Sequence, residues 1–258
     1  MHTNFSADCD TPMEDIIKQC VTLGVDTVML TDHVDFDYPD DIDYEVDFTA
    51  YRKEIQSLKE KYPQMKILMG VEIGYMGHLQ EKLNELIDTY PFDFVIGSIH
   101  AYKGKEFCKN GFFNGKTQKE SYQEYFEAVR HMVADYDNFD VVGHLDFIVR
   151  YGDFLKKELS YRDFQEMIDE ILMLIIQKGK GIELNTSGIR YGLDVMHPSK
   201  DILKKYLEMG GEIITLGSDS HRAKDLFRDF DQAIKDLKAI GFQKITQFKQ
   251  RQPHFIKI

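Results

Sequence analysis

Short apolar runs recur along the chain, spaced so that each pair leaves room for a helix between them. They fall at 26–31 (DTVMLT), 66–71 (KILMGV), 92–98 (FDFVIGS), 139–143 (FDVVG), 181–185 (GIELN), 212–217 (EIITLG) and 244–248 (KITQF). Runs this short and mostly apolar suit parallel strands covered on both faces. Amphipathic stretches with legible ends lie between them. Thr11-Pro12-Met13-Glu14 offers an N-cap, a proline for the first helical position and a capping-box glutamate, and Gly24 marks the stop. Pro198 opens a second helix that closes at Gly210-Gly211, and a third runs from Lys224 to Ile240 before Gly241. Strands alternating with helices make parallel βαβ units, and seven strands suit a barrel rather than an open sheet. A β/α barrel starts with a strand, whereas here a polar stretch leads directly into the first helix, so the pattern predicts a truncated first strand.

Composition narrows the class. A chain of 258 residues fits one large α/β domain, and with no linker or low-complexity tract it reads as a single domain over 1–258. Acidic residues number 44 against 32 basic ones, for a formal charge of −12. That balance argues against an extended nucleic-acid groove, although a bound cation can still recruit a small anionic substrate. No apolar run approaches the ~18 residues of a membrane span, and the N-terminus lacks the basic head and apolar stretch of a secretion signal. Cys9, Cys20 and Cys108 follow no CxxC spacing and read as reduced thiols of a cytoplasmic protein.

The candidate chemistry lies just past the strand ends. Asp32-His33 follows the first run, Glu72 the second, His100 the third, His144 and Asp146 the fourth, and Asp219 and His221 the sixth. At the front stand His2 and, six residues on, Asp8. In a parallel barrel all strand C-termini open on one face, so these side chains are expected to converge. Imidazoles mixed with carboxylates, without cysteine, describe a site for several divalent ions such as zinc, iron or manganese. One histidine after a strand is more often packed or solvated than a ligand; five of nine at equivalent points carry the reading. His78 and His197 read as cap or surface positions, His131 as a helix residue and His254 as part of the tail. Cys9 reads as an inert small side chain. The acidic stretch 35–47 reads as a solvated loop placed to act as a lid. A long insertion after His100 carries Lys103, Lys105, Lys109 and Lys116 with Phe107, Phe112 and Phe113, and is placed to wall the pocket.

From His2-Thr3-Asn4-Phe5-Ser6 through TDH, GVE, GSIH, GHLD and NTSG to SDSH, the chain resembles the PHP (polymerase and histidinol phosphatase) superfamily of metal-dependent phosphoesterases, and within it the histidinol-phosphatases. The resemblance implies a distorted (β/α)7 TIM-like barrel with two or three divalent metal ions (Zn, Fe or Mn) at the C-terminal ends of the strands. It implies a first metal on His2, Glu72 and Asp219, a second on Glu72 as a bridge with His100 and His144, and a third on His33, His221 and Asp8. Two departures stand out. Asp8 occupies a position often held by histidine in relatives, and the first His of the family's H-x-H pair is absent, because Met1 fills the intervening position. The implied reaction is hydrolysis of a phosphate monoester, foremost L-histidinol phosphate to L-histidinol and phosphate, by metal-activated hydroxide. Glu72, Asp219 and Arg190 are the expected catalytic residues, with Arg190 of NTSGIR as a bidentate phosphate contact. The expected partner is a small phosphorylated substrate, with no membrane and no extended nucleic acid. The alternatives are a PHP phosphodiesterase or nuclease acting on nucleotides or oligonucleotides, and a metal-depleted, non-catalytic relative.

Overall fold

The structure, a computed structural model, describes residues 1–109 and 111–258. In chain order the strands are β1 (Thr27–Leu30), β2 (His33–Val34), β3 (Lys66–Gly74), β4 (Phe94–Ser98), β5 (Ala101–Tyr102), β6 (Lys105–Glu106), β7 (Val141–Val142), β8 (Gly181–Asn185), β9 (Ile214–Gly217), β10 (Lys244–Lys249) and β11 (Gln252–Lys257). Among the described residues, seven of them form one sheet in the order β1-β3-β4-β7-β8-β9, with β2 also on β3. Every pairing in this sheet is parallel. Six of the seven predicted runs therefore build the half-barrel of a distorted α/β barrel. The sheet's β1 and β9 ends do not pair directly. Met1 and His2 bridge them through the residues just past each strand. Thr31 N, after β1, donates to Met1 O at 2.9 Å, and His2 N donates to Ser220 O, after β9, at 2.9 Å. Met1 and His2 thus stand where the first strand is expected.

The seventh predicted run departs from expectation. It forms β10, which pairs antiparallel with β11 instead of joining the parallel sheet. Gln250 and Arg251 take left-handed backbone (φ 52° and 62°), which turns the chain back on itself after β10. The hairpin then closes the bottom of the barrel. Phe248 stacks on Phe94 at 5.0 Å, and Arg251 Nε reaches Asp140 Oδ2 at 2.6 Å.

The helices cover the outer faces. Helix α1 (Met13–Thr22) buries Met13, Ile16, Ile17 and Cys20, one stripe at i, i+3, i+4 and i+7. Truncating Ile16, which is fully buried, to alanine should cost about 2–5 kcal/mol. The expected capping box does not form. Thr11 Oγ1 instead donates to the carbonyl of His221 at 2.8 Å, and Glu14 takes Lys61 and Tyr62. The hydroxyl that could cap the helix is used to tie it to the loop after β9. Next come α2 (Phe48–Lys61), α3 (Gln80–Thr89) and α4 (Gln118–Asp135), whose Thr117–Glu120 capping box lies inside the lysine-rich insertion. They are followed by α5 (Gln165–Gln177), the single turn α6 (Ser187–Arg190), α7 (Lys200–Glu208) and α8 (Phe230–Ile240). Helix α8 starts later than Lys224, because Phe227 and Asp229 take left-handed backbone (φ 54° and 63°) that interrupts a helix. Gly24 and Gly241 do end their helices with positive φ.

Candidate metal centre

The sheet register brings the site together. His33 on β2 lies opposite Glu72 on β3, and Glu72 lies opposite Ile96 on β4. His100 follows β4, His144 follows β7, and Asp219 and His221 follow β9. All of these, with His2 and Asp8, line one cavity of about 600 Å³ at the C-terminal ends of the strands. Arg190 lines it as well, whereas Asp32 and Asp146, also expected at this mouth, do not.

Glu72 is the hub. Its Oε1 faces His100 Nε2 at 3.1 Å and His144 Nε2 at 3.0 Å, and accepts from Ser98 Oγ at 2.6 Å. Its Oε2 faces His2 Nε2 at 3.6 Å, and His2 Nε2 lies 3.3 Å from Asp219 Oδ1. The carboxylate therefore divides its two oxygens between two donor sets. A third set surrounds Asp8, whose oxygens reach His33 Nε2 at 2.9 Å and His221 Nε2 at 3.1 Å. Among the described residues, three overlapping donor groups have the spacing of a cation site: His2, His33 and His221; His33, Asp35 and His100; and Glu72, His100 and His144.

Charge explains why such a cluster is tolerated in a largely buried place. Burial and the neighbouring His221 push the His2 imidazole down to about 4. Burial also pulls on His100, but Asp35 and Glu72 outweigh it and raise the imidazole to about 10. His33 is likewise raised, as Asp35 and Asp8 override burial. Glu72 is held well below the usual carboxylate range because His100 and His144 override its burial, and Asp219 because His2 and Arg150 do. The carboxylates demand positive charge. The raised imidazoles of His33 and His100 supply it in the absence of metal, and divalent cations on nitrogen and oxygen donors can take their place, so the donor set fits the expected metals. Asp219 sits in left-handed backbone (φ 48°), a strained placement of a kind that clusters at functional sites.

Several supporting residues escaped the sequence reading. Arg150, six residues past His144, is almost wholly buried against the site. Its Nη2 donates to Ser187 Oγ at 2.5 Å and to Asp219 Oδ2 at 3.2 Å, and its guanidinium lies over the rings of Phe147 and Tyr191 at 4.7 and 4.1 Å. Glu183 accepts from His144 N and Asn185 Nδ2, both at 3.0 Å. A lone acid inside the apolar run GIELN was a readable signal of such a role, since a buried charge needs partners. Asp32, expected among the converging residues, instead accepts from Thr3 and Ser6 and so pins the loop that carries His2.

Other expectations resolve differently. Asp146 stays out of the donor sets, because its Oδ1 binds His197 Nδ1 at 2.6 Å. His197 is consequently fully buried rather than a cap or surface residue. His78 is exposed and pairs with Asp37. Of the insertion, Phe107 and Cys108 line the cavity, whereas Phe112 and Phe113 pack in the core; residue 110 lies outside the described residues. Three of its four named lysines are held in ion pairs: Lys103 and Lys116 with Glu124, and Lys109 with Asp40. The acidic stretch contributes Tyr38 and Tyr44 to the cavity wall.

Known proteins share this sequence pattern and this fold. A family model described as the PHP domain matches residues 1–187. The probable histidinol-phosphatase of Clostridium acetobutylicum is 32% identical over 95% of both chains. The histidinol-phosphatase of Lactococcus lactis is 31% identical over 96% of this chain and 92% of its own. A crystal structure of histidinol phosphate phosphatase from Lactococcus lactis, complexed with zinc, L-histidinol and phosphate, superposes with a TM-score of 0.91 at 30% identity, covering 98% of this chain and 97% of that one. The converging imidazoles, the parallel half-barrel and the span of the match agree, and the chain belongs to the PHP domain family.

Proposed function

We propose that this protein is a phosphoric monoester hydrolase that converts L-histidinol phosphate to L-histidinol and phosphate. The carrying observation is the division of the Glu72 oxygens between His2 and Asp219 on one side and His100 and His144 on the other. Relatives named histidinol-phosphatase, and a closely similar fold holding zinc, L-histidinol and phosphate, support the substrate. Divalent metal ions are part of the reading: two or three of zinc, iron or manganese, held by His2, Glu72 and Asp219, by Glu72, His100 and His144, and by Asp8, His33 and His221. Such ions acidify water to supply a hydroxide nucleophile at neutral pH and neutralise phosphate charge.

The chain's own residues do the remaining work. Arg150 presents a guanidinium held between two rings, with a buried Nε that has no partner among the described residues, and is suited to a charge-assisted contact with phosphate. Arg190 is held beside Asp219 by the carbonyls of Ser218 and Asp219, at 2.9 and 2.7 Å, and offers its remaining donors to the same anion. Tyr38, Tyr44 and Phe107 give the cavity an aromatic side suited to an imidazole ring. Free cysteines agree with a cytoplasmic setting. No helix among the described residues is long and apolar enough to cross a membrane. The test is release of inorganic phosphate by metal-loaded protein from L-histidinol phosphate, a nucleotide panel and single-stranded DNA. Release from the first alone is expected. Turnover confined to the nucleotides or DNA, or no turnover, contradicts the reading.

A further inference from the structure

Asp35 sits two residues past His33 at the end of β2, 4% exposed, and both of its oxygens are engaged by imidazoles. Oδ2 meets His33 Nδ1 at 2.7 Å, and Oδ1 meets His100 Nδ1 at 2.7 Å. The other nitrogens of those rings point into different donor sets, His33 Nε2 towards Asp8 and His100 Nε2 towards Glu72. Asp35, His33 and His100 also have the spacing of a cation site of their own. The distances decide against that role. Two donors on one tetrahedral or octahedral cation, each about 2.1 Å from it, stand about 3.0–3.4 Å apart. A separation of 2.7 Å is a direct hydrogen bond.

The neighbouring strand is shaped for this carboxylate. A Cβ on Gly74 would lie 1.7 Å from Asp35 Oδ1, so a side chain there would drive the carboxylate off its seat. An isolated bridge to Tyr44 ties the same residue to the far end of the acidic stretch, whose Tyr44 ring lies 5.2 Å from His33. Of the other clustered histidines, His2 Nδ1 makes a 3.4 Å contact to Ser6 Oγ, His221 Nδ1 reaches a backbone carbonyl at 3.2 Å, and His144 Nδ1 has no partner among the described residues.

We propose that Asp35 is a positioning residue that holds the proton of both His33 and His100 on Nδ1. One carboxylate thereby sets the metal-facing nitrogen in two separate cation sites and couples their filling. The inference rests on the metal-centre reading. It is specific in what it forbids: an asparagine at 35 can accept from one Nδ1–H, but its NH2 faces the other ring. That ring must then move its proton to Nε2, the nitrogen needed for the cation.

Zinc-loaded protein carrying 15N-labelled histidine tests this directly by long-range 1H–15N NMR together with zinc content per chain. In the wild type, His33 and His100 should each show a hydrogen-bonded Nδ1–H and zinc at Nε2. Asp35→Asn should lose one of the two Nδ1–H signals and weaken zinc binding about 10–100-fold. Gly74→Ala, which keeps the charge and displaces the carboxylate, should weaken it similarly. Zinc at Nδ1 of either ring in the wild type overturns the proposal even if no variant folds. So does an Asp35→Asn protein that keeps both signals and full zinc. A wild type that takes up no zinc overturns the metal-centre reading as well, which separates the two failures.

Discussion

Replacing Glu72 by glutamine probes the hub without changing its shape. The residue is 5% exposed, and its Oε1 is shared by His100, His144 and Ser98 within 3.1 Å. Glutamine keeps the volume but removes one negative charge from both donor sets that meet there. Two unit charges about 4 Å apart at an effective dielectric near 20 attract by about 4 kcal/mol, a lower bound for a divalent cation. At about 1.4 kcal/mol per decade this corresponds to roughly a thousandfold weaker hold on each cation. The effect falls on the two sites that share the carboxylate, whereas the set around Asp8 should keep its ion. The assay is elemental analysis after dialysis at a fixed free-metal concentration, paired with phosphate release from L-histidinol phosphate. Glu72→Gln should lose cations from both shared sites and lose turnover by three decades or more, with an unchanged far-UV circular dichroism spectrum. A variant that keeps its full metal content and wild-type rate refutes the hub assignment.

Neighbouring residues give separable outcomes. Arg150→Lys keeps a charge but loses the planar fork held between Phe147 and Tyr191, so kcat/KM for L-histidinol phosphate should fall about 10–100-fold; an unchanged value counts against a phosphate contact. Asp8→Ala removes the carboxylate between His33 and His221, and should lower metal content by one ion per chain while the two sites on Glu72 stay filled. Burial raises the Glu183 carboxyl above its ordinary 4.5, so it binds its proton more tightly folded than unfolded. The stability this gives is complete below the unfolded value and is lost as pH rises through the folded one. Metal-stripped Glu183→Gln should therefore gain in melting temperature relative to wild type as pH rises from about 5 to about 8, and a constant difference contradicts that sign.

Much of the parallel sheet was legible because its strands are apolar on both faces and each carries its chemistry at its C-terminal end. Glu72, His100 and His144 are far apart in sequence, yet the alternation of strand and helix already brought them to one mouth. The run 244–248 reads as one more such strand because its apolar pattern resembles the others. What redirected it was a pair of left-handed residues, Gln250 and Arg251, that no run of hydrophobicity encodes. Thr11 and Glu14 misled for a related reason. A local capping signal lost its hydroxyl to a tertiary bond with the His221 carbonyl, which lies 210 residues away in sequence. Arg150 and Asp35 went unread because their roles depend on what faces them, Asp219 and the rings in one case and two imidazoles in the other. His197 looked like a surface residue because its partner, Asp146, lies 51 residues back.

The most direct test of the central claim is anomalous diffraction from crystals grown with zinc, iron or manganese, collected at each metal's absorption edge. At least two peaks are expected, one between Glu72, His2 and Asp219 and one between Glu72, His100 and His144. Crystals of metal-treated protein with no peak beside Glu72, or with peaks held by other residues, contradict that claim.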